Sequence, residues 1–364
     1  MTDETREQCG PRPEASGDAG SSAVRGLVLR SVLFCLVLVV MLLVLQTVMH
    51  DSGGGQAWWN TYLSQPEDSL DALFLGSSFA HGAISPLDLW RDYGFTSFNL
   101  TGSNQSLGTS YYFLREALET QRPKVVVLEL HTIVGQQMND QALWSNYGMM
   151  PWGENKVRGY AAAAPSLYSF QYLVFPLLRD HTKWHTLDAA DLEKLVAEPP
   201  PPPGLGHPVI FITEDESTRT PDPDISPATM HEGLESLRRI ARLCADNDAD
   251  LVLYFTPGSL DEQDEVLDEI RVGLTGDDGN VEYLDLDDAR TAMGIDPSTD
   301  YALADGHLSY HGALKVTRYL GRHLVGRYGL VDRRGMPEYE EWNVLLREYD
   351  EYVDELEGTK GNAE

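Results

Sequence analysis

The chain has 364 residues, 57 acidic against 27 basic, for a formal net charge of −30, and 42% of its residues are hydrophobic. That is enough apolar material for a large core. The charge excludes a basic nucleic-acid stripe and disfavours general attraction to anionic lipid surfaces.

Residues 1–23 are rich in Gly, Ser, Pro and charge, and read as a disordered tail. Residues 24–50 follow as one apolar stretch that carries no charge from Ser31 to Met49. About 20 such residues cross a bilayer as a helix. The apolar core is too long for a cleavable signal peptide, and no small-x-small cleavage site follows. Arg25 and Arg30 lie on its amino side, Asp51 follows it, and the next arginine is Arg91. The positive-inside rule therefore puts the N-terminus in the cytoplasm and the rest outside, on a single-pass cell-membrane protein. Cys9 and Cys35 fall in the tail and the span, which leaves Cys244 alone in the outer part with no intramolecular disulfide.

Residues 51–68, opening Asp51-Ser-Gly-Gly-Gly-Gln, read as a juxtamembrane linker. The organising stretch comes next. Ala72 to Leu75 is a short buried strand, broken by Gly76-Ser77-Ser78 at a turn toward a helix. Thr96–Leu100 is a second strand, followed by Leu107, Tyr111, Leu114 and Leu118 at helical spacing. Pro123–Leu130 is a third, with an apolar run typical of strands buried on both faces. This alternation predicts an α/β fold with a parallel sheet.

The pattern lapses over about 135–230, which holds aromatics and the proline run 199–203 and reads as a mostly helical insertion. It resumes with a helix from His231 to Asp246, a strand at Asp250–Thr256, another helix, a strand at Val281–Leu284 and a helix at Tyr310–Leu324. The α/β domain is thus 69–330. Residues 331–364 form an amphipathic helix and tail, expected to pack on the same domain.

Parallel strands gather their following loops at one sheet edge, where such folds bind ligands. A hydroxyl nucleophile there needs a base, a group orienting that base, and oxyanion donors. Ser78 supplies the hydroxyl, His307 the base, and Asp305 a nearby acid. Gly102 offers a backbone N–H and Asn104 an amide after the second strand. Glu129 and His131 share one face of the third strand and approach the same edge. His81 is expected in the pocket wall. His181 and His185 stand four apart, but Thr182 occupies the place of the glutamate of a zinc-protease motif, so a surface position is expected. No metal site or cofactor is expected.

Phe-Leu-Gly-Ser-Ser at 74–78, Phe-Asn-Leu-Thr-Gly-Ser at 98–103 and Asp-Gly-His-Leu at 305–308 resemble the ordered blocks of the SGNH (GDSL-like) hydrolase superfamily. The likeness is to its membrane-anchored members, such as proteins of alginate O-acetylation and teichoic-acid D-alanylation. It implies a flavodoxin-like three-layer α/β/α sandwich, Ser78 as nucleophile and His307 as base. In the family the acid usually lies three residues before the histidine, where this chain has Ala304, and the third block carries an asparagine that is replaced here around Glu129–Thr132. The resemblance implies a serine esterase or O-acyltransferase acting on acyl esters of a cell-envelope polysaccharide or other acyl-carrying glycan, with a membrane-bound O-acyltransferase as a possible partner. The alternative is a catalytically degenerate glycan-binding or scaffolding module, with Trp144, Trp152, Tyr160 and Trp184 offering sugar-stacking faces.

Overall fold

The computed structural model describes residues 17–49, 55–134, 138–164, 169–193, 195–196, 203–211, 227–259, 263–274, 281–302 and 306–360. Helix α1 (Gly17–Met49) contains one stretch, Ala23–Met49, long and apolar enough to span a membrane. Helicity therefore begins inside the segment expected to be disordered: apolar residues downstream propagate the helix back to Gly17, and only 1–16 lie outside the described residues. Helix α2 (Gly55–Leu63) occupies part of the expected linker. Its Trp59 and Tyr62, three apart on one helical face, are buried in the core, and Tyr62 Oη donates to Ala117 O at 2.9 Å.

The domain proper starts with β1 (Ala72–Gly76), α3 (Ser78–Ala83), α4 (Pro86–Tyr93), β2 (Ser97–Thr101), α5 (Leu107–Ala117) and β3 (Val125–Glu129). The inserted region contains α6 (Asp140–Leu143), a π-turn at Trp144–Gly148, α7 (Glu154–Ala163), α8 (Phe170–Val174), α9 (Leu177–Asp180), a 3-10 turn at His181–His185 and α10 (Ala189–Glu193). Then come α11 (Pro227–Ala245), β4 (Asp250–Tyr254), α12 (Gln263–Gly273), β5 (Val281–Tyr283), α13 (Arg290–Met293), α14 (Tyr310–Tyr328) and α15 (Glu340–Lys360).

The five strands form an all-parallel sheet in the order β2-β1-β3-β4-β5, the flavodoxin-like doubly wound arrangement. Side chains alternate across it. Leu73, Leu75, Val126, Leu128, Leu251 and Leu253 enter the core beneath α5, α11 and α12. Ala72, Phe74, Val125, Val127, Val252 and Tyr254 enter the other, beneath α14. β1, β3 and β4 are thus buried on both faces, which is why each carries an apolar run. The fold is an α/β sandwich with a helical insertion.

Helix α15 packs against α4: Trp90 and Trp342 stack with centroids 5.4 Å apart, and Trp90 Nε1 donates to Asn343 Oδ1 at 3.1 Å. Arg91 pairs with both Asp88 and Asp350. Just after α14, Arg333 forks onto both carboxylate oxygens of Asp71, immediately ahead of β1. At the free edge of the sheet, segment 203–211 lies along β2, with Asn99 N–H donating to Leu205 O at 3.1 Å. Of the four aromatics expected to offer sugar-stacking faces, Trp144 and Tyr160 are buried in the core. Flat apolar rings fill helix-to-helix gaps as readily as they stack on ligands, and only Trp152 and Trp184 remain exposed.

Gly76 ends β1 at φ +143°, and an added Cβ would lie 2.6 Å from Glu129 Cβ. Both the dihedral and the close approach need glycine. Gly76→Ala is expected to cost about 2 kcal/mol and to lower Tm by roughly 4–8 °C in detergent. An unchanged Tm contradicts this packing.

Candidate active site

β1 stops at Gly76, Ser77 caps the next helix by accepting from Phe79 N–H, and Ser78 is the first residue of α3. The nucleophile candidate therefore stands half-buried at the carboxyl edge of the central strands. From the far end of the chain, an antiparallel bridge between Tyr301 and Leu308 folds the segment before α14 back on itself, and Ala302 N–H donates to His307 O at 2.7 Å. Gly306, at φ +95°, lets that loop pass Gly258 after β4; a Cβ there would come within 2.3 Å of Gly258 O. The outcome is a hydrogen bond between His307 Nε2 and Ser78 Oγ at 2.8 Å, across 229 residues of sequence. Phe79 stacks on the His307 ring at 4.1 Å with 21° between planes, and its ring lies 4.1 Å from that of His131. These aromatic contacts limit where the imidazole can sit.

Glu129 is fully buried directly behind the turn. Its carboxyl accepts from Ser77 Oγ at 2.8 Å, from Ser77 N–H at 3.4 Å and from His131 N–H at 2.6 Å. Burial raises it to about 7, against the pull of the His131 and Ser77 hydrogen bonds and of the nearby His307. So Glu129 joins the loops after β1 and β3 and holds a titratable charge that attracts an imidazolium on His307. His131 begins the 3-10 turn His131–Val134 and is buried against Phe79.

The loop after β2 reaches the same edge. The Gly102 N–H donates to Gly76 O at 3.2 Å, so it closes the end of the β1–β2 ladder. Asn104 sits half-buried in a left-handed turn at φ +49°, a conformation that asparagine tolerates. Asn146, from the π-turn, clamps this loop through Nδ2 to Ser103 O at 2.9 Å. Asp305 and Ala304 lie outside the described residues.

Two neighbours of His81 escaped sequence reading. Trp58 of α2 lies against the His81 ring at 4.8 Å, and its only sequence signal is the Trp58-Trp59-x-x-Tyr62 pattern beside a glycine run. His81 Nδ1 is 3.0 Å from Thr101 Oγ1. His207, delivered by the 203–211 segment, donates Nδ1–H to His81 O at 3.2 Å, and nothing in its sequence surroundings marks it. Loss of solvation, then the neighbouring His207 and His307, lowers His81 to about 3. Burial lowers His207 to about 4, partly offset by its bond to His81 O. Both rings are neutral at physiological pH; the imidazole within hydrogen-bond reach of Ser78 is that of His307. His181 and His185 are exposed, and among the described residues no group of three or more His, Cys, Asp or Glu could hold a metal ion.

The raised Glu129 makes a signed prediction. Its ordinary value is 4.5, so its ionisation opposes folding. The group's favourable contribution is complete below about pH 4.5 and is lost as pH rises through about 7, on the order of 3 kcal/mol in all. Glu129→Gln has no such ionisation. Its Tm relative to wild type should climb between about pH 5 and pH 8, and a constant difference over that range contradicts the placement of Glu129.

No protein-family model matches the chain, and no curated protein matches it. Among solved structures it aligns with one described as "a putative platelet activating factor from Streptococcus pneumonia", at 12% identity over 79% of this chain and 99% of the other, with a TM-score of 0.38. That overlap is loose, and any reading of activity must come from the residues of this chain.

Proposed function

We propose that the protein is a membrane-anchored serine ester hydrolase or O-acyltransferase of the SGNH type, acting outside the cytoplasm on acyl esters of cell-envelope glycans. The observation that carries this reading is the 2.8 Å contact between Ser78 Oγ and His307 Nε2 at the carboxyl edge of a parallel sheet. A hydroxyl is a weak nucleophile until an adjacent base removes its proton. In the proposed cycle Ser78 Oγ attacks the acyl carbon as His307 Nε2 takes the hydroxyl proton. The acyl C–O bond breaks, His307 returns the proton to the departing oxygen, and an acyl-Ser78 ester remains. A second acceptor then gives its proton to His307 and takes the acyl group, and Ser78 recovers its hydroxyl. Water as acceptor makes the protein an esterase; a glycan hydroxyl makes it an acyltransferase, for which a membrane-bound O-acyltransferase is a fitting partner.

The membrane anchor supports a substrate presented close to the bilayer. Five residues, six Cα–Cα steps, separate Met49, the end of α1, from Gly55, the start of α2. Fully extended they reach about 20 Å, and Trp58 of α2 already touches His81, three residues from Ser78. Arg25 and Arg30, on the amino side of the uncharged run in α1, and the acidic chain beyond it support an outward-facing domain.

The test is hydrolysis of an aryl acetate by the full chain in lipid nanodiscs. Ser78→Ala and His307→Gln should each lower kcat/KM by about 10⁴-fold or more with Tm little changed. Undiminished turnover in a folded Ser78→Ala variant would sink the assignment.

A further inference from the structure

Helix α1 is exposed along almost its whole described surface, but Val48 and Met49, at its outer end, are only 5% and 4% exposed. They are the most buried described residues of α1, and the helix packs against three elements of the inserted region, α9, the 3-10 turn His181–His185 and α10. The same short elements turn large apolar side chains to the outside. Phe175, Leu178, Trp184, Leu187, Leu192 and Val196 are all exposed, Trp184 at 71% and Leu192 at 58%. On a chain of net charge −30, a run of such residues within 22 positions is out of keeping with a solvated surface.

The geometry points to residues 174–196 as a second membrane contact, seated in the interfacial layer of the lipid around the outer end of α1. This rests on α1 being the anchor. The uncharged run, Ser31 to Met49, is about 28 Å long at 1.5 Å per residue, close to the thickness of a hydrocarbon core of about 30 Å. Met49 therefore lies at the boundary between acyl chains and headgroups. The inserted elements packed against α1 lie beside it, and their exposed side chains continue its lipid-facing surface. Tryptophan favours this zone because its ring is apolar and its N–H polar, and an amphipathic segment lying in the interface buries its apolar side in the headgroup boundary. Two attachments, a span and an in-plane patch, fix the orientation of the sheet edge relative to the bilayer as one span alone does not. The occupant is lipid. A second copy of the chain or another protein would cover the patch instead, and the experiment separates these.

Single cysteines at Val37, Trp184, Leu192 and Val331 are spin-labelled in the full chain, with Cys9 and Cys35 replaced by alanine and the buried Cys244 retained. The protein is reconstituted in dioleoylphosphatidylcholine nanodiscs. Relaxation by oxygen, which concentrates in lipid, is compared with relaxation by a water-soluble nickel chelate. The proposal expects the oxygen-to-nickel ratio at 184 and 192 to be several-fold above that at 331, a solvent-exposed position after α14, and on the side of that at 37 within the span. A lipid-like label at 37 with water-like labels at 184 and 192 overturns the proposal and leaves the anchor standing. Labels at 184 and 192 shielded from both reagents mean a protein covers the patch, which also overturns it. A water-like label at 37 removes the anchor and the proposal together.

Discussion

A carboxyl group cut off from water, that of Glu129, sits where the loops after β1 and β3 meet, and the candidate site is built on it. It accepts from Ser77 by backbone and side chain and from the His131 N–H, so one residue sets the shape of two loops at the carboxyl edge at once. A buried acid is costly unless hydrogen-bonded. Here three donors hold it, and Gly76 passes without a side chain because Glu129 Cβ occupies that space. The turn that presents Ser78 thus depends on an interaction one strand away.

From that fixed turn the rest of the edge follows. His307 arrives from the distant end of the domain through a tight bridge and is held against Phe79. Phe79 is also the surface against which His131 rests, so one ring spaces two imidazoles. His81 and His207 close the other side as neutral rings, tied to α3 and β2 by short polar contacts. The juxtamembrane helix reaches this wall through Trp58. The proposed anchor and the assembly of the site are therefore not separate matters: the first helix after α1 is part of the pocket surroundings.

Much of this was legible in the sequence, for physical reasons. Strands buried on both faces must be continuously apolar, so β1, β3 and β4 stand out, and parallel topology gathers the residues that follow them. Ser78 and His307 each sit in such a loop and meet in space. Elements that escaped notice lack a periodic signature. The run Asp51–Gln56 looks like a linker, yet Trp59 and Tyr62, three apart, anchor a helix in the core. His207 comes from a segment with neither periodicity nor motif, placed by tertiary contacts such as the backbone pairing with β2 and the Tyr310 N–H donated to Ile210 O. Trp144 and Tyr160 show that an aromatic residue in an insertion can be core or surface with equal composition. Gly102 is at the expected edge, but its N–H already serves the β1–β2 ladder, a competition that only the register of the strands reveals.

The central claim is that Ser78 is an activated nucleophile by virtue of His307. Its most direct test is covalent: the full chain in nanodiscs is treated with a fluorophosphonate, digested, and the adduct located by mass spectrometry. The account predicts one phosphonylated residue, Ser78, with labelling lost in Ser78→Ala and strongly slowed in His307→Gln. A folded wild-type protein that takes no label, or takes it at another serine, would contradict it.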